Sequence, residues 1–362
     1  MFGKELEIIE FIPHVETNER LNRYIDFQER IMKAYFPMDI IEPRTIMIQE
    51  LQRAPSRTWK NIRYIVEDKQ KIIAEGQLGF LMLSHDANPE RCHLWVVVDP
   101  QYARKGIGKA LLSILSEKAK IYGRTIFTTN ISTATPEKAG IKLLEKVGAK
   151  KVLEEKENRL YRNNVNWEFI NETKPRLLEK LNKYRFEFMT SKEHLHRIET
   201  DDAYAEERAD FLTEVGNLVP RGDADEEDEV VTKEDLRKDL ERSKNSPWET
   251  QFIFAFEGDK MIGQTGVFHW KEIDFPYVET GLTGVRKAYQ GQGLAKLLKC
   301  MITEYIFEKY PTVQFIGTEN ADTNAPMLSI NQRLGFEEAY RWIKYEGKIK
   351  EIDLFLNDQK ST

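Results

Sequence analysis

The sequence predicts a mixed α/β protein built from two consecutive copies of one domain, each a twisted sheet flanked by helices. Its 362 residues suit two domains of ordinary size. Two glycine-rich segments, around Gly106 and Gly293, each follow an apolar strand and open a helix, and they lie 187 positions apart. A second pair of glycines, Gly148 and Gly335, keeps the same spacing. Two landmarks in one register indicate an internal repeat.

The composition limits the classes of function. Hydrophobic residues make up 41% and charged residues 31% of the chain, the balance of a soluble globular protein. A net charge of -6 disfavours nucleic acid and anionic lipid as partners, and no apolar stretch is long enough to span a bilayer. Two cysteines cannot build a disulfide framework or a zinc site alone. We therefore expect a cytoplasmic protein without a metal, and a homo-oligomer is left open.

The elements of the first copy follow from periodicity. The helix after Gly106 has apolar residues at Leu111, Leu112, Leu115 and Ala119, the spacing of one helix face. The predicted elements are a strand at 6–11, a helix at 19–35, a hairpin at 63–67 and 71–78, a buried strand at 92–98, a helix at 108–122, a strand at 125–129 and a helix at 136–147.

The second copy repeats this order. Its hairpin turns at Gly258-Asp259, between two strands rich in aromatic and β-branched residues. The predicted elements are helices at 202–215 and 233–242, the hairpin at 251–256 and 261–268, a strand at 278–285, a helix at 293–307, a strand at 313–318 and a helix at 324–334. We place the junction in the polar stretch 163–174, with Pro175 opening a connecting helix, and predict domains at 1–170 and 171–362.

Each glycine-rich segment is typical of an anion site. Where a strand, a glycine turn and a helix N-terminus meet, backbone N–H groups converge and a phosphate can approach closely. Neither segment is a P-loop, because no Gly-Lys-Ser/Thr follows, and neither fits the dinucleotide fingerprint, which fails at Leu111 and Leu298. A tight turn without a ligand is the plain alternative.

The whole arrangement resembles the GNAT N-acetyltransferase superfamily. The second copy carries the loop Gln290-Gly291-Gln292-Gly293-Leu294-Ala295, an Asn-led helix at Asn324 and the closing tripeptide Leu334-Gly335-Phe336. The resemblance implies acetyl-CoA as co-substrate and a primary amine of a small molecule as acceptor, with direct attack in a ternary complex. It also implies that the amides of 291–295 hold the pyrophosphate. Pantetheine would contact Thr283, Gly284, Val285 and Asn324.

The same resemblance suggests catalytic side chains. The attacking ammonium must lose a proton, and Glu279 shares a strand face with Val285 by period-two alternation, so it is our candidate base, with Glu319 second. The tyrosine that the family commonly uses as acid is replaced by Asn331, which donates a hydrogen bond but is no acid. Tyr340 is the alternative donor to the thiolate.

The first copy departs from the family pattern at three positions. Ala103 replaces a Gln or Arg, Glu137 replaces the pantetheine-contacting Asn, and Leu144 stands where many members carry the tyrosine acid. We therefore expect the second copy to be catalytic and the first to be degenerate.

Two other functions stay open. The chain could be a non-catalytic acyl-CoA sensor or interaction module, or a transferase that uses aminoacyl-tRNA, which the acidic balance disfavours. The acidic run at 223–229 is either a solvated loop or a patch that attracts a cationic amine.

Overall fold

A computed structural model of the chain describes residues 6–135, 139–271 and 274–358. The predicted mixed α/β fold is confirmed. The first part of the chain comprises β1 (Leu6–Glu10), α1 (Asn18–Tyr35), α2 (Arg44–Gln52), β2 (Trp59–Asp68), β3 (Lys71–Leu81), β4 (Arg91–Val98), α3 (Ile107–Ile121), β5 (Ile126–Ser132), α4 (Ala139–Lys146) and β6 (Lys150–Tyr161).

The second part of the chain begins with a helix, repeats this order with two more helices before its first hairpin, and ends in another helix. It comprises α5 (Trp167–Lys180), β7 (Arg185–Thr190), α6 (Ser191–Thr200), α7 (Asp202–Asn217), α8 (Lys233–Lys238), α9 (Leu240–Lys244), β8 (Trp248–Glu257), β9 (Lys260–Trp270), β10 (Tyr277–Thr280), β11 (Gly284–Val285), α10 (Leu294–Lys309), β12 (Phe315–Ala321), α11 (Ala325–Leu334), β13 (Glu337–Lys348) and α12 (Ile349–Asp358).

The chain divides into two compact units that are not its two halves. Among the described residues, unit 1 takes in those up to Glu154, the segment 223–227 and those from Trp342 onward, and unit 2 takes in the rest. The end of β6 and all of α5 therefore belong to unit 2, while most of β13 and all of α12 belong to unit 1. The boundary that the sequence predicts between residues 170 and 171 separates the two copies of the repeat, which is a different division from that into compact units. This boundary stays a prediction.

Unit 1 is built on a sheet with the strand order β1-β2-β3-β4-β5-β13, its last member being residues 342–348. All neighbours are antiparallel except β4 and β5, which are parallel. Lys69 and Gln70 both have positive φ, the backbone that a two-residue hairpin turn between β2 and β3 requires. One face packs on α1 through Tyr24, Phe27 and Ile31, and the other face packs on α3, α4 and α12.

Unit 2 is built on a sheet with the strand order β6-β12-β10-β9-β8-β7, beginning with residues 155–161 of β6. The pair β10 and β12 is parallel, and β11 pairs with β9. One face packs on α6 and α7 through Tyr204, Phe211 and Phe254. The other face packs on α5, α10 and α11.

Three sequence-based elements differ from the structure. The helix expected at 233–242 is interrupted at Asp239, so α8 and α9 are separate. The strand expected at 278–285 is broken at residues 281–283, so β10 and β11 are separate. The connecting helix begins at Trp167, capped by Asn166, and Pro175 lies inside it instead of opening it. Burial of Ile170 and Leu177 on α10 and its neighbours stabilises a helix that an internal proline weakens. Pro136 and Glu137 lie outside the described residues. In the part of the chain that the structure describes, no helix is both long and apolar enough to span a membrane.

Candidate functional site

The glycine turn of the first repeat forms the N-terminus of α3. Gly106 has a φ of 82° and occupies the N-cap, and Arg104 before it has a φ of 61°. This left-handed backbone turns the chain sharply from β4 into the helix. The first N–H groups of α3 have no partner within the helix, and Arg104 and Lys109 add positive charge beside them. The arrangement suits a phosphate group.

Strands β4 and β5 diverge next to this turn. They pair only from Arg91 to His93 and from Ile126 to Thr128. Beyond these residues β4 continues along β3, while β5 continues along β13. A cavity of about 570 Å³ occupies the resulting gap.

This cavity is lined from both faces of the sheet. Gly108 and Leu112 of α3 line it on one side, and Tyr35 and Phe36 line it on the α1 side. Ala103 and Leu144, two of the three positions that led us to expect a degenerate copy, are among its walls. Both side chains are apolar and carry no charge that would repel an anionic ligand. The two substitutions therefore leave the space open.

The glycine turn of the second repeat has the predicted backbone but a different environment. Gly291 and Gly293 have φ values of 74° and 99°, and α10 begins at Leu294. Leu177 of α5 lies so close that its Cδ2 would be 2.9 Å from a Cβ at Gly293. Lys180 of the same helix donates a hydrogen bond to the carbonyl of Gln292 at 3.0 Å. Helix α5 therefore covers part of the turn.

Side chains of the fold also engage the rest of the predicted loop. The Gln290 Nε2 donates to the carbonyl of Val285 at 3.1 Å, and Tyr184 donates to the Oε1 of Gln292 at 3.1 Å. Leu294 is 1% exposed within the core of unit 2, against which Ala295 packs. These contacts hold the loop within unit 2, and its role in binding the coenzyme stays a prediction.

The segment from Thr283 to Val285 is held by neighbours within unit 2. The hydroxyl groups of Thr283 and Thr265 are 2.7 Å apart, and Gly284 and Val285 pair with β9. A Cβ at Gly284 would lie 2.1 Å from Val215, so only glycine fits at this position.

A buried lysine lies beside the end of β10. Lys299 of α10 is 1% exposed, its Nζ lies 3.4 Å from the Thr280 hydroxyl, and the amine sits over the Phe336 ring. Burial lowers the pKa of Lys299 to about 8. The position 187 residues earlier is Leu112, which lines the cavity of unit 1.

The two predicted bases of the second repeat lie close together. A Cβ at Gly317 would be 3.4 Å from both the Cγ of Glu279 and the Oε1 of Glu157. Partial desolvation, together with the nearby carboxylates of Glu155 and Glu279, raises the pKa of Glu319 to about 7, although Glu319 is an exposed residue. A carboxylate with such a pKa can exchange protons near neutral pH.

The other predicted side chains have separate neighbours. Asn331 is 2% exposed and donates from its Nδ2 to the Oδ1 of Asn320 at 2.6 Å. Asn324 caps α11 by accepting from the N–H of Met327 at 3.3 Å. Tyr340 lies under the Arg159 guanidinium, 5.8 Å from it. The roles suggested for Asn331 and Tyr340 toward a thiolate stay predictions.

The acidic run at 223–229 is partly neutralised. Glu226 lies 3.0 Å from the Lys344 amine and 3.5 Å from Arg91, and Asp228 pairs with Arg221 at 3.1 Å. In the described residues, no group of three or more His, Cys, Asp and Glu side chains could hold a metal ion.

Two family models match this sequence. An acetyltransferase (GNAT) domain model matches residues 60–164, and an acetyltransferase (GNAT) family model matches residues 217–336. Together the models span more than half of the chain, one in each repeat. No curated protein matches the sequence.

Solved structures resemble the whole chain. A tandem GNAT protein from the clavulanic acid biosynthesis pathway, solved without AcCoA, is 19% identical with a TM-score of 0.70, and the match covers 95% of this chain and 99% of that one. A GCN5-related N-acetyltransferase from Sphaerobacter thermophilus is 12% identical with a TM-score of 0.63, over 96% and 97% of the two chains. At these identities the likeness shows the fold alone.

Proposed function

Because the chain belongs to the GNAT acetyltransferase superfamily as a tandem member, we propose that it transfers an acetyl group from acetyl-CoA to a primary amine of a small molecule. The amine attacks the thioester directly in a ternary complex, and the first repeat holds the coenzyme. The observation that carries this proposal is the cavity of unit 1, which runs from the Gly106 turn into the gap between β4 and β5.

The residues around the cavity match the parts of the donor. The pyrophosphate would lie on the N-terminus of α3, where Arg104 and Lys109 supply positive charge. The pantetheine arm would enter the gap, along the edge of β4 that β5 leaves unpaired after His93. A backbone N–H on this edge would stabilise the oxyanion of the attacked thioester.

This proposal departs from our sequence-based preference for the second repeat. The contacts of Leu177 and Lys180 with the second glycine turn support the departure, as does the buried Lys299 at the position of Leu112. If the second repeat held the donor instead, Glu279 and Glu319 would be the bases for the amine. If the chain is instead a non-catalytic acyl-CoA sensor, it should bind acetyl-CoA but release no CoA thiol with any amine of a test panel.

The test places a carboxylate at the same position of both helices. Gly108→Asp puts the charge in the wall of the cavity, at a position where a Cβ meets only Val96 and Val98 at 3.8 Å or more. Ala295→Asp is the matched control, 187 residues later near the start of α10. Both positions lie in the first turn of a helix, where the dipole favours a negative charge. Because Ala295 also packs against the core of unit 2, a thermal melt first checks that Ala295→Asp is folded.

We expect Gly108→Asp to weaken acetyl-CoA binding at least about tenfold, because it brings a negative charge toward the pyrophosphate. Ala295→Asp should bind like the wild type, as measured by isothermal titration calorimetry. Loss of binding in Ala295→Asp alone would assign the donor to the second repeat. No binding by the wild-type protein would reject the proposed function.

A further inference from the structure

The two ends of the unit 1 cavity differ in chemistry. The charged side chains among its described lining residues, Arg104 and Lys109, lie at the glycine turn and at the start of α3. The end next to α1 is lined mainly by apolar and aromatic side chains, namely Ile31, Tyr35, Phe36, Trp95 and Trp342. The polar residues Asn130 and Ser132 of β5 also line the cavity, and Ser132 pairs directly with Trp342.

Four aromatic side chains line this end of the cavity, and we call them the aromatic wall: Tyr35, Phe36, Trp95 and Trp342. The Trp342 ring centre lies 5.5 Å from that of Phe36 and 6.3 Å from that of Trp95. The Tyr35 hydroxyl donates to the carbonyl of Val98 at 3.0 Å, so the fold already uses this donor. The wall therefore offers ring surface to a ligand.

Charged residues near the aromatic wall are paired with one another. Lys344 and Glu346 share a face of β13 with Trp342 because side chains alternate along a strand. Lys344 pairs with Glu226, and Arg91 of β4 forms ion pairs with Glu226 and Glu346. These opposite charges offset each other. These paired residues therefore provide no excess charge that would attract an ionic group of a substrate to the wall.

We propose that the aromatic wall binds an apolar group of the substrate. This inference rests on the proposed function, because the donor would enter from the glycine turn and place its thioester toward the wall. Two substrates can supply such a group: an acyl chain longer than acetyl on the donor, or an apolar body on the amine acceptor. In both cases the free energy comes from removing apolar surface from water.

The first arm of the test measures donor binding without an acceptor. Acetyl-, butyryl- and hexanoyl-CoA are titrated into the wild-type protein by calorimetry. A chain that packs on the wall should gain up to about fourfold in affinity for each added methylene group. Trp342→Ala should remove most of this gain. Trp59→Ala is the matched control, since Trp59 is 39% exposed on β2 and does not line the cavity.

The second arm measures acceptor preference with acetyl-CoA as donor, through thiol release. Phenethylamine and ethanolamine are compared at equal concentration, and an apolar acceptor site should favour phenethylamine at least tenfold in kcat/KM. A gain in the first arm assigns the wall to the acyl chain, and a gain in the second assigns it to the acceptor.

Equal binding of the three donors together with equal use of the two amines would overturn the inference while leaving the proposed function intact. The wild-type series alone decides this, even if Trp342→Ala fails to fold. Failure to bind any of the three thioesters would reject both the inference and the proposed function.

Discussion

Two glycines in equivalent positions of the repeats have different reasons to be glycine. Gly335 ends α11 with a φ of 102°, and a Cβ there would lie 2.1 Å from the carbonyl oxygen of Asn164. Gly148 also has a positive φ, 65°, but a Cβ there would meet nothing within 4 Å. Gly148 is therefore constrained by its backbone conformation alone, whereas Gly335 is constrained by its backbone conformation and by close packing.

Gly335→Ala should therefore destabilise the protein by about 3 kcal/mol or more, because backbone near Asn164 must move and the left-handed conformation is unfavourable. Gly148→Ala is the matched control and should cost about 1 kcal/mol, the conformational term alone. Urea denaturation of both variants measures the difference. Equal losses of stability would mean that packing at Asn164 does not distinguish the two sites.

Lys299 and Leu112 also occupy equivalent positions of the two repeats, and they differ in charge. The folded pKa of Lys299, about 8, lies below that of an exposed lysine. Below pH 8 the amine is charged in the folded protein, and burying that charge lowers the stability. Between pH 8 and about 10.5 the amine is neutral in the folded protein but still protonated in the unfolded chain, so the stability rises with pH in this range. Lys299→Leu, which restores the residue type of Leu112, should stabilise the protein by about 2–3 kcal/mol at pH 7.

The gain from Lys299→Leu should shrink toward pH 10, since the wild-type lysine is then neutral in the fold. Denaturant titrations of both proteins at pH 7 and pH 10 test this. A variant that is less stable than the wild type at pH 7 would show that the contacts of Lys299 with Thr280 and Phe336 outweigh its burial.

At the scale of elements, the sequence predicted helices and hairpins correctly wherever the spacing of apolar residues or a turn motif was enough to determine them. The helix predicted at 19–35 is α1, and the helices after the two glycine turns begin at Ile107 and Leu294, 187 positions apart. Both central hairpins turn at the expected residues. These elements depend on local pattern and turn chemistry, which a sequence displays directly.

Helix α5 shows what local pattern could not supply. Its internal Pro175 suggested that the connecting helix begins there, whereas the helix begins at Trp167 and buries Ile170 and Leu177 on α10 and its neighbours. Which repeat binds the coenzyme also depends on such surroundings, and our sequence-based preference for the second repeat stays a prediction. The motif around Gln290–Ala295 is complete in sequence, but its surroundings depend on a helix 110 or more residues away. The aromatic wall likewise joins residues far apart in the chain, such as Phe36 and Trp342.

At the scale of the whole molecule, the repeats exchange their closing elements. Residues 342–348 form the last strand beside β5 in unit 1, and α12 buries Ile349 and Ile352 there, at 2% and 1% exposure. In unit 2, residues 155–161 of β6 fill the equivalent place beside β12. Neither half of the sequence contains all the strands of one unit.

This exchange predicts that the fragment 1–170 does not fold alone. It lacks the strand at 342–348 and the two buried isoleucines of α12, each contributing about 1.5–3 kcal/mol, against a total stability of about 5–15 kcal/mol for an ordinary domain. Expressed by itself, the fragment should show no cooperative thermal transition. Co-expressed with 171–362, it should form a soluble one-to-one complex whose circular dichroism matches the intact chain, because the partner supplies the missing strand and helix. A cooperative transition in 1–170 alone would mean that the strand at 342–348 and α12 are dispensable for unit 1, and that the first half of the sequence is an independent folding domain.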